Sequence, residues 1–145
     1  MEGVDSSATR FSARHAEFDA IAAFIESSCA LLADEDRLRL VLLVEELFAN
    51  SVNHGYGGDS DQPVWLSVEV SDQSCRLVYA DSAPPYNPFA AVNPSSTEAD
   101  LEHRPIGGLG IVLLMELSSS RSYERRDDRN VIELHVPRGP HSAST

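Results

Sequence analysis

The chain has 145 residues, 42% hydrophobic and 23% charged, proportions that fit one compact soluble domain with a sizeable core. A formal net charge of -12, from 23 acidic against 11 basic residues, repels phosphate backbones and anionic lipid. Neither nucleic acid nor a membrane is therefore an expected partner. All 11 basic residues are arginine, and without lysine the chain can build neither a P-loop nor a eukaryotic-type protein kinase site.

Residues 1–8 are small and polar and read as a flexible tail, with a short strand expected at 9–13. From 16 to 32, Phe18, Ile21, Ala22, Phe24, Ile25, Cys29 and Leu32 recur at helical spacing. Asp34 is the expected N-cap of a second helix, which runs to about His54 and stops at Gly55 and Gly57-Gly58. Its stretch 38–48 is apolar on nearly every side, the mark of a buried central helix. The period then changes. Val64, Leu66, Val68 and Val70 alternate as in a strand, Asp72-Gln73 supplies a turn, and residues 75–80 form the hairpin partner. Residues 84–105 are studded with proline and lack periodicity, as a binding loop or lid does. Gly107-Gly108-Leu109-Gly110 opens a third helix to about Leu117, and strands at 120–125 and 131–136 flank a turn at 126–130. Residues 137–145 read as a second tail.

Helix, helix, hairpin, long loop, helix, hairpin is an α+β order. It predicts one domain over 9–136, a two-layer sandwich whose mostly antiparallel, mixed sheet is covered on one face by helices. No apolar run is long enough to span a membrane, and the N-terminus lacks a signal-peptide pattern. Cys29 and Cys75 have neither CxxC nor Cys/His ligand spacing. A cytoplasmic protein with two free thiols is expected.

Three patches carry chemistry. In the first, residues 45–54, Glu46 and Asn50 stand four apart and share one helix face, which Asn53 and His54 continue. An Mg ion on the Asn50 side-chain oxygen would satisfy that amide, and Glu46 would be placed to orient or deprotonate a nucleophile. The plainer reading is a solvated helix surface near a frayed end. In the second, Asp81 follows a strand and precedes Ser82-Ala83-Pro84-Pro85, so its carboxylate can accept from an exocyclic amine and read adenine against guanine. The plainer reading is an Asp-Ser turn. In the third, Gly108, Leu109 and Gly110 open a helix where glycines admit a phosphate to backbone N–H groups; tight packing is its plainer reading.

Together, in this order and spacing, the patches resemble the N, G1 and G2 boxes of the GHKL (Bergerat-fold) ATPase superfamily. Within it, Glu-Glu-Leu-Phe-Ala-Asn-Ser-Val-Asn-His-Gly-Tyr, Pro-Pro-Tyr-Asn-Pro after Asp81, Gly-Gly-Leu-Gly-Ile-Val-Leu-Leu and the closing Tyr-Glu-Arg-Arg-Asp-Asp-Arg-Asn-Val-Ile-Glu-Leu are similar to the RsbW-like anti-sigma-factor serine kinases. The resemblance implies a Bergerat α/β sandwich that binds ATP and Mg2+. It implies that Glu46 is the general base, Asn50 the Mg ligand, and Asp81 the acceptor for the adenine amine. Gly108, Leu109 and Gly110 would then lie around the phosphates, and 85–104 would be the lid, with Arg104 its nearest cation for the γ-phosphate. Ala83 stands where the family usually has the glycine of Asp-x-Gly, and a Cβ there is expected to crowd the base or the turn.

The function implied is an ATP-dependent serine/threonine protein kinase of a bacterial partner-switching system. It would phosphorylate a STAS-domain anti-sigma-factor antagonist, bind a sigma factor, and form a homodimer. The competing reading is an ATP-gated protein-binding regulator without phosphotransfer. His15, His103, His135 and His141 show no metal spacing and read as surface or loop residues.

Overall fold

A computed structural model of the chain describes residues 8–91 and 108–139. Five strands form one sheet: β1 (Thr9–Ser12), β2 (Pro63–Val70), β3 (Ser74–Asp81), β4 (Ser120–Arg126) and β5 (Arg129–Pro137). Their order is β1-β2-β3-β5-β4, and every neighbouring pair is antiparallel. Alternation sorts the side chains. Phe11, Val64, Leu66, Cys75, Leu77, Tyr79, Ile132, Leu134 and Val136 enter the main core, whereas Val78, Ala80 and Val131 lie on the far face under Trp65. The Arg129 guanidinium sits 3.8 Å from the Trp65 ring centroid and helps cover that patch.

Helices α1 (Phe18–Ser28), α2 (Asp34–Asn50) and α3 (Gly108–Leu117) supply the second layer. Helix α1 buries Ile21 and Ile25, and Phe24 meets Phe11 edge-on at 5.8 Å between ring centroids. Helix α2 is less enclosed than its composition predicts. Leu40, Leu43, Val44, Leu47 and Phe48 are buried, but Leu38 and Leu42 face outward at 56% and 38% exposure. Its N-cap is Ala33 rather than Asp34, which becomes the first helical residue and pairs with Arg37. Asp34, Glu35 and Asp36 together place negative charge at the positive end of the helix dipole.

Three boundaries differ from the sequence expectation. The α-helical ladder of α2 stops at Asn50, and Ser51–Gly55 is a π-turn, in which the Tyr56 N–H donates to Ser51 O at 2.8 Å. The β4–β5 connection is the two-residue turn Asp127-Asp128, with φ of 54° and 62°, not a five-residue loop. At the C-terminus β5 runs to Pro137, the Arg138 N–H donates to Gln73 O at 2.9 Å, and the Gly139 N–H donates to Asp36 Oδ1 at 3.0 Å. Residues 137–139 therefore belong to the fold and not to a tail. Cys29 and Cys75 are both free and buried; burial raises both thiols, Cys75 to about 11, which keeps them unreactive. Among the described residues no helix is long and apolar enough to cross a membrane.

Candidate functional site

The register of the sheet creates the site. Phe11, Val64, Asp81, Asn130 and Arg125 are successive cross-strand partners on one rung. Asp81 is the last residue of β3, on the same side as Leu77 and Tyr79, so alternation sends its carboxylate inward under the end of α2. There it is 8% exposed. A carboxylate in such a place needs donors, and it has them: Ser51 Oγ–H donates to Oδ2 at 2.6 Å, while the Asn130 Nδ2–H and the Ala83 N–H donate to Oδ1 at 2.9 and 3.2 Å. The single Ser51 hydroxyl proton is used on Asp81, so the Tyr79 hydroxyl is the donor in its 2.7 Å contact with Ser51 Oγ. Burial holds the Tyr79 phenol well above its usual range, which keeps that proton in place.

Above this network lies a cleft of about 200 Å³. Leu47, Ile132, Ala83, Pro84 and Pro85 give it apolar walls, and Asn50, Ser51, His54, Asp81 and Asn130 bring polar atoms. Apolar walls with one buried carboxylate suit an apolar-faced ring bearing an amine. Asn50 reaches the cleft from the last turn of α2, and its side-chain amide makes no hydrogen bond to the described residues. Asn53 leaves this face: its Oδ1 is 2.9 Å from His15 Nε2.

Glu46 stands one turn before Asn50 and packs directly against α3. A Cβ built on Gly110 would lie 2.6 Å from Glu46 Cγ and closer still to its carboxylate, so glycine there lets the two helices meet. Burial first, and the neighbouring Glu45 charge second, raise the Glu46 carboxyl above its ordinary value. Gly108 and Leu109 form the first turn of α3 beside Gly110. Arg104, Gly107 and residues 92–104 of the expected lid lie outside the described residues.

Ala83 forms part of the cleft wall. It is 2% exposed, its φ is not positive, and its Cβ faces Gly55, where a second Cβ would lie only 2.8 Å away. Space absent at 83 is thus made at 55. Gly55→Ala is expected to destabilise the fold by about 1–3 kcal/mol, the usual range for overpacking, and Ala83→Gly in the same chain to restore most of the loss. Urea unfolding of the two single variants and the double variant measures this, and strictly additive losses would refute the pairing.

Sequence reasoning singled out Glu46, Asn50, Asp81, Ala83 and the glycines, and the structure brings Glu46, Asn50, Asp81, Ala83 and Gly110 around one end of α2. It missed Ser51, Tyr79, Asn130 and Arg125, the last of which donates from Nη1 to Ala83 O at 2.7 Å. Tyr79 was within reach, as the residue two before Asp81 in an alternating strand.

Comparisons with known proteins place the chain in a family. Residues 11–136 match the histidine kinase-like ATPase domain family. The serine/threonine-protein kinase BtrW of Bordetella bronchiseptica is 27% identical over 106 residues, which are 73% of this chain and 74% of that protein. The histidine kinase domain of a blue-light activated histidine kinase from Erythrobacter litoralis superposes with a TM-score of 0.51 at 16% identity, over 97% of this chain and 72% of that one. For the catalytic domain of histidine kinase ThkA the TM-score is 0.51 at 15% identity, over 91% and 97%. At those identities the structures establish the fold, a five-stranded antiparallel sheet under helices, and the match over 11–136 establishes membership. The chain belongs to the histidine kinase-like ATPase domain family and is an ATP-binding domain of the kinase-like type.

Proposed function

We propose that the chain is an ATP-dependent serine/threonine protein kinase of a partner-switching system, with a STAS-domain anti-sigma-factor antagonist as its substrate. The observation that carries this reading is the placement of Glu46. Its carboxylate lies against the first turn of α3, has no hydrogen-bond partner among the described residues, and precedes Asn50 by one helical turn. The named activity of BtrW supports the same class of reaction. By the motif resemblance to the RsbW-like kinases, the chain would act as a cytoplasmic homodimer and would also hold a sigma factor.

In this reading Asp81 would take the adenine amine, the apolar walls would hold the base, and Asn50 would supply one oxygen to Mg2+. A single hard protein ligand suits Mg2+, which keeps water and phosphate oxygens as its other ligands. Among the described residues no three His, Cys, Asp or Glu side chains cluster as a metal site. Glu46 takes the proton of the substrate serine hydroxyl as its oxygen bonds to the γ-phosphorus. The bond from phosphorus to the β–γ bridging oxygen breaks, and ADP leaves. Transfer of labelled γ-phosphate to the STAS-domain protein tests this. If the chain binds ATP and that protein but transfers nothing, an ATP-gated binding regulator replaces the kinase.

The raised Glu46 carboxyl gives the reaction a pH signature. A general base works only when deprotonated, so the rate falls as pH drops through its pKa. That pKa lies above the ordinary glutamate value, and part of the elevation comes from Glu45. Glu45→Gln removes the like charge and moves the acid limb of the pH–rate profile to lower pH. An unmoved limb would assign it to another group.

A further inference from the structure

Asn130 has no place in the chemistry above, yet it is the most heavily bonded side chain of the site. It is 5% exposed and sits at the start of β5, directly across from Asp81. Its Nδ2 donates to Asp81 Oδ1 at 2.9 Å, Pro84 O at 3.0 Å and Ala83 O at 3.2 Å. Its Oδ1 accepts from the Tyr123 hydroxyl at 2.6 Å and the Tyr86 N–H at 3.1 Å. Two amide protons and two lone pairs are thereby all in use. Asn130 has nothing left to offer a ligand.

Counting lone pairs on Asp81 gives the consequence. Among the described residues, Oδ1 accepts from Asn130 and Ala83, whereas Oδ2 accepts only from Ser51. One acceptor site remains open, and it is on Oδ2. We propose that Asn130 is a positioning residue for base recognition: it saturates Asp81 Oδ1 and pins residues 83–86, so that Oδ2 alone receives the 6-amino group of a purine. This rests on the reading of the cleft as the adenine site. Tyr123 and Arg125, two residues apart on β4 and so on the same face of the strand, complete the clamp by holding Asn130 Oδ1 and Ala83 O. Specificity then depends on a residue that need not touch the nucleotide.

The test compares ATP with ITP, which differ at the purine 6-position, by titration calorimetry on the full chain. Wild type should favour ATP. Asn130→Leu keeps the side-chain shape without hydrogen bonds, and Asn130→Asp keeps it without the amide donors. Both should reduce the ATP-over-ITP preference by about tenfold or more, the weight of one well-placed hydrogen bond to a charged group. A merely structural role would weaken both nucleotides alike and leave the ratio unchanged, which overturns the proposal. A wild type that binds no ATP overturns the adenine reading as well, whereas variants that keep a wild-type preference overturn only the role of Asn130. Should the variants not fold, nuclear magnetic resonance of the unaltered chain decides. The Asn130 side-chain amide protons should exchange slowly with solvent and stay bonded when ATP is added. Fast exchange, or a change of partner on binding, overturns the proposal.

Discussion

Glu46→Gln is expected to keep Mg-ATP binding and to lose phosphotransfer by a factor on the order of 10²–10⁴. Glutamine preserves the length and packing of Glu46 against Gly110 while removing its basicity. A serine hydroxyl is a weak nucleophile at its own pKa, so removal of the base falls on the chemical step and not on affinity. Single-turnover transfer to the STAS-domain protein, run beside calorimetry, separates the two quantities. If affinity and rate fall together, Glu46 serves the nucleotide and not the hydroxyl. If neither falls, another group takes the proton. Asn50 offers the contrast: Asn50→Ala should weaken metal and nucleotide binding at once, because its amide faces the cleft with no hydrogen-bond partner among the described residues.

The second large effect is at Asp81. Asp81→Asn should weaken ATP binding by about 1.5–3 kcal/mol, roughly ten- to a hundredfold, through loss of a charged acceptor. The surrounding donors also dictate which way the new amide points. Asn130 and Ala83 both donate at the Oδ1 position, so the carbonyl oxygen stays there and the amide nitrogen takes the place of Oδ2. Ser51 can then accept from it. An amide N–H donor now faces the purine 6-position, which favours a carbonyl over an amine. The variant should therefore narrow or reverse the preference for ATP over ITP, and an equal loss for both would remove Asp81 from base recognition.

Legibility in the sequence followed the range of the interactions. Glu46 and Asn50 lie one helical turn apart, and the i, i+4 rule places them together without tertiary knowledge. Asp81 ends the stripe Cys75, Leu77, Tyr79, so alternation alone aims it at the core. Asn130 could not be found that way. Read locally it belongs to the turn 126–130; only the β3–β5 register sets it opposite Asp81, and the two are 49 residues apart. The π-turn at Ser51–Gly55 was hidden for a similar reason. Nothing in the local pattern separates an i→i+5 ladder from an α-helix, and the turn brings Gly55 against Ala83, a residue that sequence proximity does not reveal.

The pairing of β3 with β5 also divides the chain as a folding problem. Strands β1 to β3 can assemble around α1 and α2, and β4–β5 is a local hairpin, but the two parts meet across a long stretch of chain. Closing such a loop is entropically costly and late. Asp81 and Asn130 lie on opposite sides of this seam, so no half-assembled chain contains the base-binding clamp. A ligand that requires it interacts with the native state and not with the folding transition state. ATP should consequently slow unfolding and leave the refolding rate nearly unchanged, a division that stopped-flow experiments with and without nucleotide resolve. Occupancy would then act as a kinetic lock on the strand pair that closes last.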